Sequence, residues 1–75
     1  MKTLNQIKPN ESAVITRLNG AGAVKRRIMD MGLTKGTAVT VRKVAPLGDP
    51  IELHLRGYEL TLRLDDAREI AVAAL

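Results

Sequence analysis

Apolar and polar residues alternate without a break through Ile51-Glu52-Leu53-His54-Leu55, and again through Tyr58-Glu59-Leu60-Thr61-Leu62-Arg63-Leu64. Successive side chains of a strand point to opposite faces, so a period of two describes two strands with one face buried and one wet. Only Arg56 and Gly57 lie between them, the length of a two-residue hairpin loop. Such a loop sets Leu55 opposite Tyr58, His54 opposite Glu59 and Leu53 opposite Leu60, with the apolar members on one side. A slip of one residue would turn that whole side to water. The pattern therefore fixes the register and commits the chain to a sheet whose apolar face needs a cover.

The rest of the chain supplies the cover and the remaining strands. Ala13-Val14-Ile15-Thr16-Arg17-Leu18 is rich in β-branched residues and is broken by Asn19-Gly20-Ala21-Gly22, which reads as one strand. From Ala23 to Met31 the apolar residues Val24, Ile28 and Met31 recur at i, i+4 and i+7, the spacing of one face of a short helix. Gly32 ends it as a left-handed C-terminal cap, after which Leu33 packs back on the last turn. Lys35-Gly36 suits the middle of a type II turn, and Thr37 to Val44 forms the next strand with Val39 and Val41 on one face. Pro46 and Gly48-Asp49-Pro50 stop that strand before the hairpin. Asp65-Asp66-Ala67 reads as a single helical turn with an acidic start, and Glu69-Ile70-Ala71-Val72 as a closing strand with Ile70 and Val72 inward.

Residues 1–75 make one domain, because a chain of this length buries only about 60% of its unfolded surface and supports one core. Five short strands joined by tight turns avoid exposed edges by curling into a small barrel, so the expected class is all-β with one short helix. The expected core is Val14, Leu18, Val24, Ile28, Leu33, Val39, Val41, Ile51, Leu53, Leu55, Leu60, Leu62, Ile70 and Val72.

Charge and chemistry narrow the function. The formal net charge of +4 and a pI near 10.0 favour anionic partners. Tyr58 is the sole aromatic residue, so platforms that stack single-stranded bases cannot be assembled and phosphate contact alone remains open to nucleic acid. The chain has no cysteine, which removes disulfides, thiolate metal sites and cysteine nucleophiles. Met1 to Glu11 lacks the continuous apolar stretch of a signal peptide, and no segment approaches the roughly 20 apolar residues of a membrane span. The expectation is a cytoplasmic protein without direct membrane insertion.

No nucleophile with a positioned base, no pair of carboxylates suited to acid and base roles, and no phosphate-binding glycine loop is evident, so the chain is expected not to be an enzyme. Thr34-Lys35-Gly36-Thr37 lacks the spaced glycine of such a loop and precedes a strand; it is a turn. His54, the single histidine, points outward beside Glu59 as an exposed cross-strand pair, with a proton-linked or ligand-binding role as the other reading. Asp65, Asp66 and Glu69 could offer hard oxygen ligands, but without nearby imidazole they read as helix capping and a solvated acidic corner, so no cofactor and no metal ligand is assigned. The run Lys25-Arg26-Arg27 reads first as a solvated face. Helical spacing also gathers Arg26, Met29 and Asp30 on the outer side, where a methionine flanked by charges suits a protein contact.

The stretch from Arg26 to Thr37, Arg-Arg-Ile-Met-Asp-Met-Gly-Leu-Thr-Lys-Gly-Thr, resembles the signature of the FeoA family: an arginine-bearing helix running into a methionine-glycine-leucine stop and a glycine-threonine turn. Gly48-Asp49-Pro50-Ile51 is similar to that family's hairpin entry, and Leu60 to Val72 to its ending through Asp-Asp-Ala. The likeness spans about Leu4 to Val72; Lys35 departs from it, where many relatives carry proline. The resemblance implies an SH3-like β-barrel that serves ferrous iron transport and iron homeostasis, a family associated with transition metal ion binding. It further implies work beside FeoB, the membrane ferrous iron transporter, through its cytoplasmic GTPase region, which would hold the domain peripheral to the inner membrane. Tyr58 alone cannot build the aromatic groove with which SH3 domains take proline-rich peptides, so any partner surface must be aliphatic and charged.

Two functions follow from different classes. The first is an accessory module that regulates or scaffolds the transporter, with Lys25, Arg26, Met29, Asp30, Gly32, Leu33 and Lys35 as the partner-binding surface. The second is a small basic barrel that binds nucleic acid through phosphate contacts, motivated by the pI and the Lys25-Arg26-Arg27 run. A third, the end domain of an iron-dependent repressor, lacks a helix-turn-helix segment to read DNA. Self-association stays open.

Overall fold

A computed structural model describes residues 2–75. Six strands form one antiparallel sheet: β1 (Lys2–Thr3), β2 (Ser12–Leu18), β3 (Ala38–Val44), β4 (Ile51–Leu55), β5 (Tyr58–Leu62) and β6 (Ile70–Ala74). Helix α1 (Gly22–Asp30) joins β2 to β3, and the four-residue α2 (Leu64–Ala67) joins β5 to β6. The spatial order β1-β6-β2-β3-β4-β5 leaves β1 and β5 at its two ends, so the hydrogen-bonded ladder is not closed among the described residues. The sheet nevertheless curls round a common core, because extents of 29 × 25 × 25 Å leave no room for a flat one. All-β with one main helix and a barrel-like sheet is therefore the class observed. The count of strands is six rather than five, because Lys2 and Thr3 pair with Val72 and Ala71 of β6.

The hairpin follows its alternation. Leu55 pairs with Tyr58, His54 with Glu59 and Leu53 with Leu60, and Ile51, Leu53 and Leu55 are all buried. Arg56 at φ 47° and Gly57 at φ 83° make the doubly left-handed loop that suits the twist of two strands joined by two residues. Asp49, just before β4, accepts a hydrogen bond at 3.0 Å from the Leu64 N–H and so caps the start of α2 from across the fold.

β2 departs from its expected face. Ala13 and Ile15 are buried while Val14 is only half-buried. The pairing with β6 explains this: Ile15 lies opposite Val72 and Arg17 opposite Ala71, so Thr16 is an extra residue in the strand. A bulge of this kind shifts the alternation by one, which leaves Thr16 and Arg17 both exposed and returns Leu18 to the core side. β3 does the same between Val41 and Lys43, which turns Arg42 and Lys43 outward together and brings Val44 back to the core.

The core also reaches further than the expected set. Leu4 and Ile7 are buried and Ala67 and Ala71 are wholly enclosed, whereas Val24 and Leu60 pack against the cluster half-buried. Leu4 sits in a 3-10 turn (Leu4–Gln6), a placement that periodicity cannot reveal in a segment with two isolated apolar residues.

A cationic groove beside helix α1

Helix α1 buries the stripe expected of it, with Ile28 fully enclosed and Val24 and Met31 packed against the core. Its end is built as a Schellman cap. The Gly32 N–H donates to the Met29 carbonyl at 2.9 Å and the Leu33 N–H to the Ile28 carbonyl at 3.3 Å, with Gly32 at φ +90°. The Tyr58 hydroxyl of β5 donates to the Met31 carbonyl at 3.0 Å and so ties that cap to the hairpin.

The following turn is equally fixed. Thr37 N–H donates to the Thr34 carbonyl at 3.0 Å across Lys35 and Gly36, with Gly36 at φ +89° as a type II turn requires. Gly36 N–H then donates to the Ile15 carbonyl at 2.7 Å, and Ile15 N–H to the Thr37 carbonyl at 2.9 Å. Arg56 donates to the Thr37 hydroxyl at 3.0 Å. Helix end, turn and β2 are thereby held as one frame.

Between these parts runs a groove of about 620 Å³, lined by Thr16, Arg17 and Leu18 of β2, Lys25 and Met29 of α1, and Thr34 and Lys35 of the turn. Lys25 and Met29 share it because they are four residues apart on the helix. Three cations line the groove and no carboxylate does. None of the three forms an ion pair among the described residues, whereas Arg27, Arg42 and Arg68 meet Asp66, Glu59 and Asp65 elsewhere. Met29 is 45% exposed, a large apolar side chain open to solvent beside those charges.

Of the seven surface residues picked from sequence, the structure thus brings Lys25, Met29 and Lys35 together. Arg26 and Asp30 are exposed on α1 but do not line the groove. Gly32 is half-buried in the cap, and Leu33 is completely enclosed, which puts its side chain beyond the reach of a partner. Thr16, Arg17, Leu18 and Thr34 are not among the seven; the bulge in β2 turns Thr16 and Arg17 outward together, with half-buried Leu18 next to them, an event without a signature in the residue pattern.

Other candidate positions make ion pairs within the fold. Arg27 donates to Asp66 Oδ1 at 2.6 Å, with the Asp66 side chain only 9% exposed, so one member of the basic run and one member of the acidic corner form an ion pair between α1 and α2. This corrects the solvated reading for Asp66, whereas the Arg27 side chain stays 57% exposed and on the solvated face. Asp65 stays exposed beside Arg68 at 3.3 Å. His54 Nδ1 lies 3.1 Å from Glu59 Oε1 on the outer face of the hairpin, the cross-strand pair that the alternation requires. Among the described residues no group of three or more histidine, cysteine or acidic side chains is arranged to hold a metal ion, and no helix is long and apolar enough to cross a membrane.

The family model of the FeoA domain matches residues 2–74. A fusion protein of Porphyromonas gingivalis strain ATCC BAA-308 / W83, named Fe(2+) transport protein A/Fe(2+) transporter FeoB, is 38% identical over 69 residues; these are 92% of this chain and 8% of the relative. The chain therefore spans only a small part of that relative's length. The NMR structure of a FeoA-like protein from Clostridium acetobutylicum superposes with a TM-score of 0.90 at 40% identity, covering 97% of this chain and 85% of that one. The crystal structure of Stenotrophomonas maltophilia FeoA complexed with zinc, described as an SH3 domain protein, gives a TM-score of 0.83 at 26% identity over 97% and 91% of the two chains.

Proposed function

The chain belongs to the FeoA family, and on that premise we propose that it serves ferrous iron transport as a non-catalytic accessory domain in the cytoplasm, docking on the cytoplasmic GTPase region of a FeoB-type transporter. The observation that carries this reading is the Porphyromonas gingivalis relative, in which a segment similar to nearly the whole of this chain is continuous with a FeoB transporter. Fusion keeps two parts at a high effective concentration, which rewards parts that meet in function. The docking surface is the exposed part of α1 and the turn after it: Lys25, Arg26, Met29, Asp30 and Lys35, with Gly32 shaping the path between them. The rigid frame under this surface supports binding without a large ordering cost.

The test is an NMR titration of isotope-labelled protein with the soluble cytoplasmic region of the transporter, with GDP and with a non-hydrolysable GTP analogue. Expected are shifts confined to residues 16–18, 25–30 and 32–37, and an affinity that differs between the nucleotides if the domain regulates rather than scaffolds. Absence of shifts in both nucleotide states would overturn the docking reading. Retention of the protein on duplex DNA or RNA at moderate salt would favour the nucleic-acid alternative instead.

A further inference from the structure

Resting on that docking reading, we propose that the groove between α1, the end of β2 and the turn after α1 takes an acidic segment of the transporter's cytoplasmic region. Its carboxylates meet Arg17, Lys25 and Lys35, and an aliphatic side chain of the same segment lies on Met29 and Leu18.

The composition of the groove specifies the occupant. Arg17, Lys25 and Lys35 face one cleft with no acid among its lining residues and, among the described residues, no ion-pair partner of their own. Like charges gathered in a cleft raise its potential and select an anion, and Arg17 can clamp a carboxylate through two parallel hydrogen bonds. Phosphate alone would satisfy the charges but leave Met29, at 45% exposure, facing water. Methionine is unbranched and polarizable and fills against aliphatic groups of varied shape, so an apolar anchor beside the carboxylates completes the match. Bases have no platform here, because Tyr58 is committed on the hairpin side to the Met31 carbonyl. At about 620 Å³ the cleft has the size of a site for a few residues of extended chain rather than a broad flat interface. The frame is in place beforehand, since the Schellman cap and the Gly36 to Ile15 hydrogen bond fix both walls.

Titration calorimetry of the full chain with the transporter's soluble cytoplasmic region tests this. Lys25→Glu combined with Lys35→Glu is expected to weaken binding by about tenfold or more, with a loss that shrinks at high salt as charges are screened. Met29→Ala is expected to weaken it at every salt concentration. Lys2→Glu combined with Lys8→Glu carries the same change of net charge on exposed positions outside the groove and is expected to alter affinity less than about threefold. Circular dichroism checks that each variant is folded.

Equal weakening by both charge reversals would mean general attraction and overturn the groove while leaving the docking reading intact. No binding by the unaltered chain would overturn the docking reading and, with it, the source named for the segment. The chemistry of the groove is then decided by NMR with an acetylated peptide of alternating aspartate and leucine. Shifts at Arg17, Lys25, Met29 and Lys35 with this probe alone sustain it. Equal shifts with the asparagine counterpart or with inorganic phosphate overturn it.

Discussion

Replacing Gly32 by Ala strikes the helix cap in two ways that can be separated. The first is conformational: at φ +90° an L residue crowds its Cβ against the neighbouring peptide carbonyl, at a cost of about 1 to 2 kcal/mol. The second is steric, because a Cβ on Gly32 would stand 2.7 Å from the Tyr58 hydroxyl oxygen, closer than unbonded atoms tolerate. The phenol must swing aside and give up its hydrogen bond to the Met31 carbonyl, now 3.0 Å long. Tyr58 is 42% exposed, so that loss lies at the lower end of the usual range, about 0.5 to 1 kcal/mol. The variant should therefore lose about 1.5 to 3 kcal/mol out of the roughly 4 to 11 expected for a domain of this size. Its melting temperature should fall by about 10 to 20 °C.

A double-mutant cycle tells the two parts apart. Tyr58→Phe alone should cost about 0.5 to 1 kcal/mol, but almost nothing once Ala occupies position 32, because the hydroxyl has already been displaced. Urea denaturation of the four proteins gives the numbers, with the slope checked for constancy. A Gly32→Ala protein within about 0.5 kcal/mol of the parent, or a double variant that shows the full Tyr58→Phe loss again, would refute the reasoning.

Leu4→Ala is expected to cost about 2 to 5 kcal/mol in the same assay, since its side chain is fully enclosed although it lies in a segment with little pattern; an unchanged midpoint would show that residues 2–7 do not belong to the core. Asp49→Ala is expected to cost about 0.5 to 1 kcal/mol by leaving the Leu64 N–H without its carboxylate acceptor, and to speed hydrogen exchange in α2 more than in β2; equal exchange rates would sink the cap.

How far the sequence discloses this fold depends on how local each signal is. The hairpin was readable residue by residue because a strict period of two and a two-residue loop leave one register. The helix stop and the turn were readable for a similar reason: Gly32 and Gly36 are required where φ turns positive. Non-local features were hidden. Nothing in the β2 residues marks the extra residue at Thr16, which exists only relative to its pairing with β6, and so the pattern puts Val14 inside where Ala13 and Ile15 are. The Arg27–Asp66 pair joins two short helices 39 positions apart, and each member by itself looked like an ordinary surface charge. The candidate site divides along the same line. Lys25, Met29 and Lys35 are legible on the helix and turn, where spacing is informative, whereas Arg17 and Leu18 are hidden on the strand whose alternation is broken.

The bulge at Thr16 also restricts how this domain can diversify. One extra residue sends Arg17 to the groove and Leu18 to the core, so the surface that would meet a partner and the interior that holds the fold share a single strand phase. Pairing Thr16 regularly with β6, without the bulge, would exchange the two, placing a guanidinium among aliphatic side chains and a leucine in water. Loss of the bulge at constant length is therefore closed to selection as a route to new partners, and the groove is left to vary by substitution. A lineage can retune its charges one at a time while the spacing of its walls is inherited unchanged.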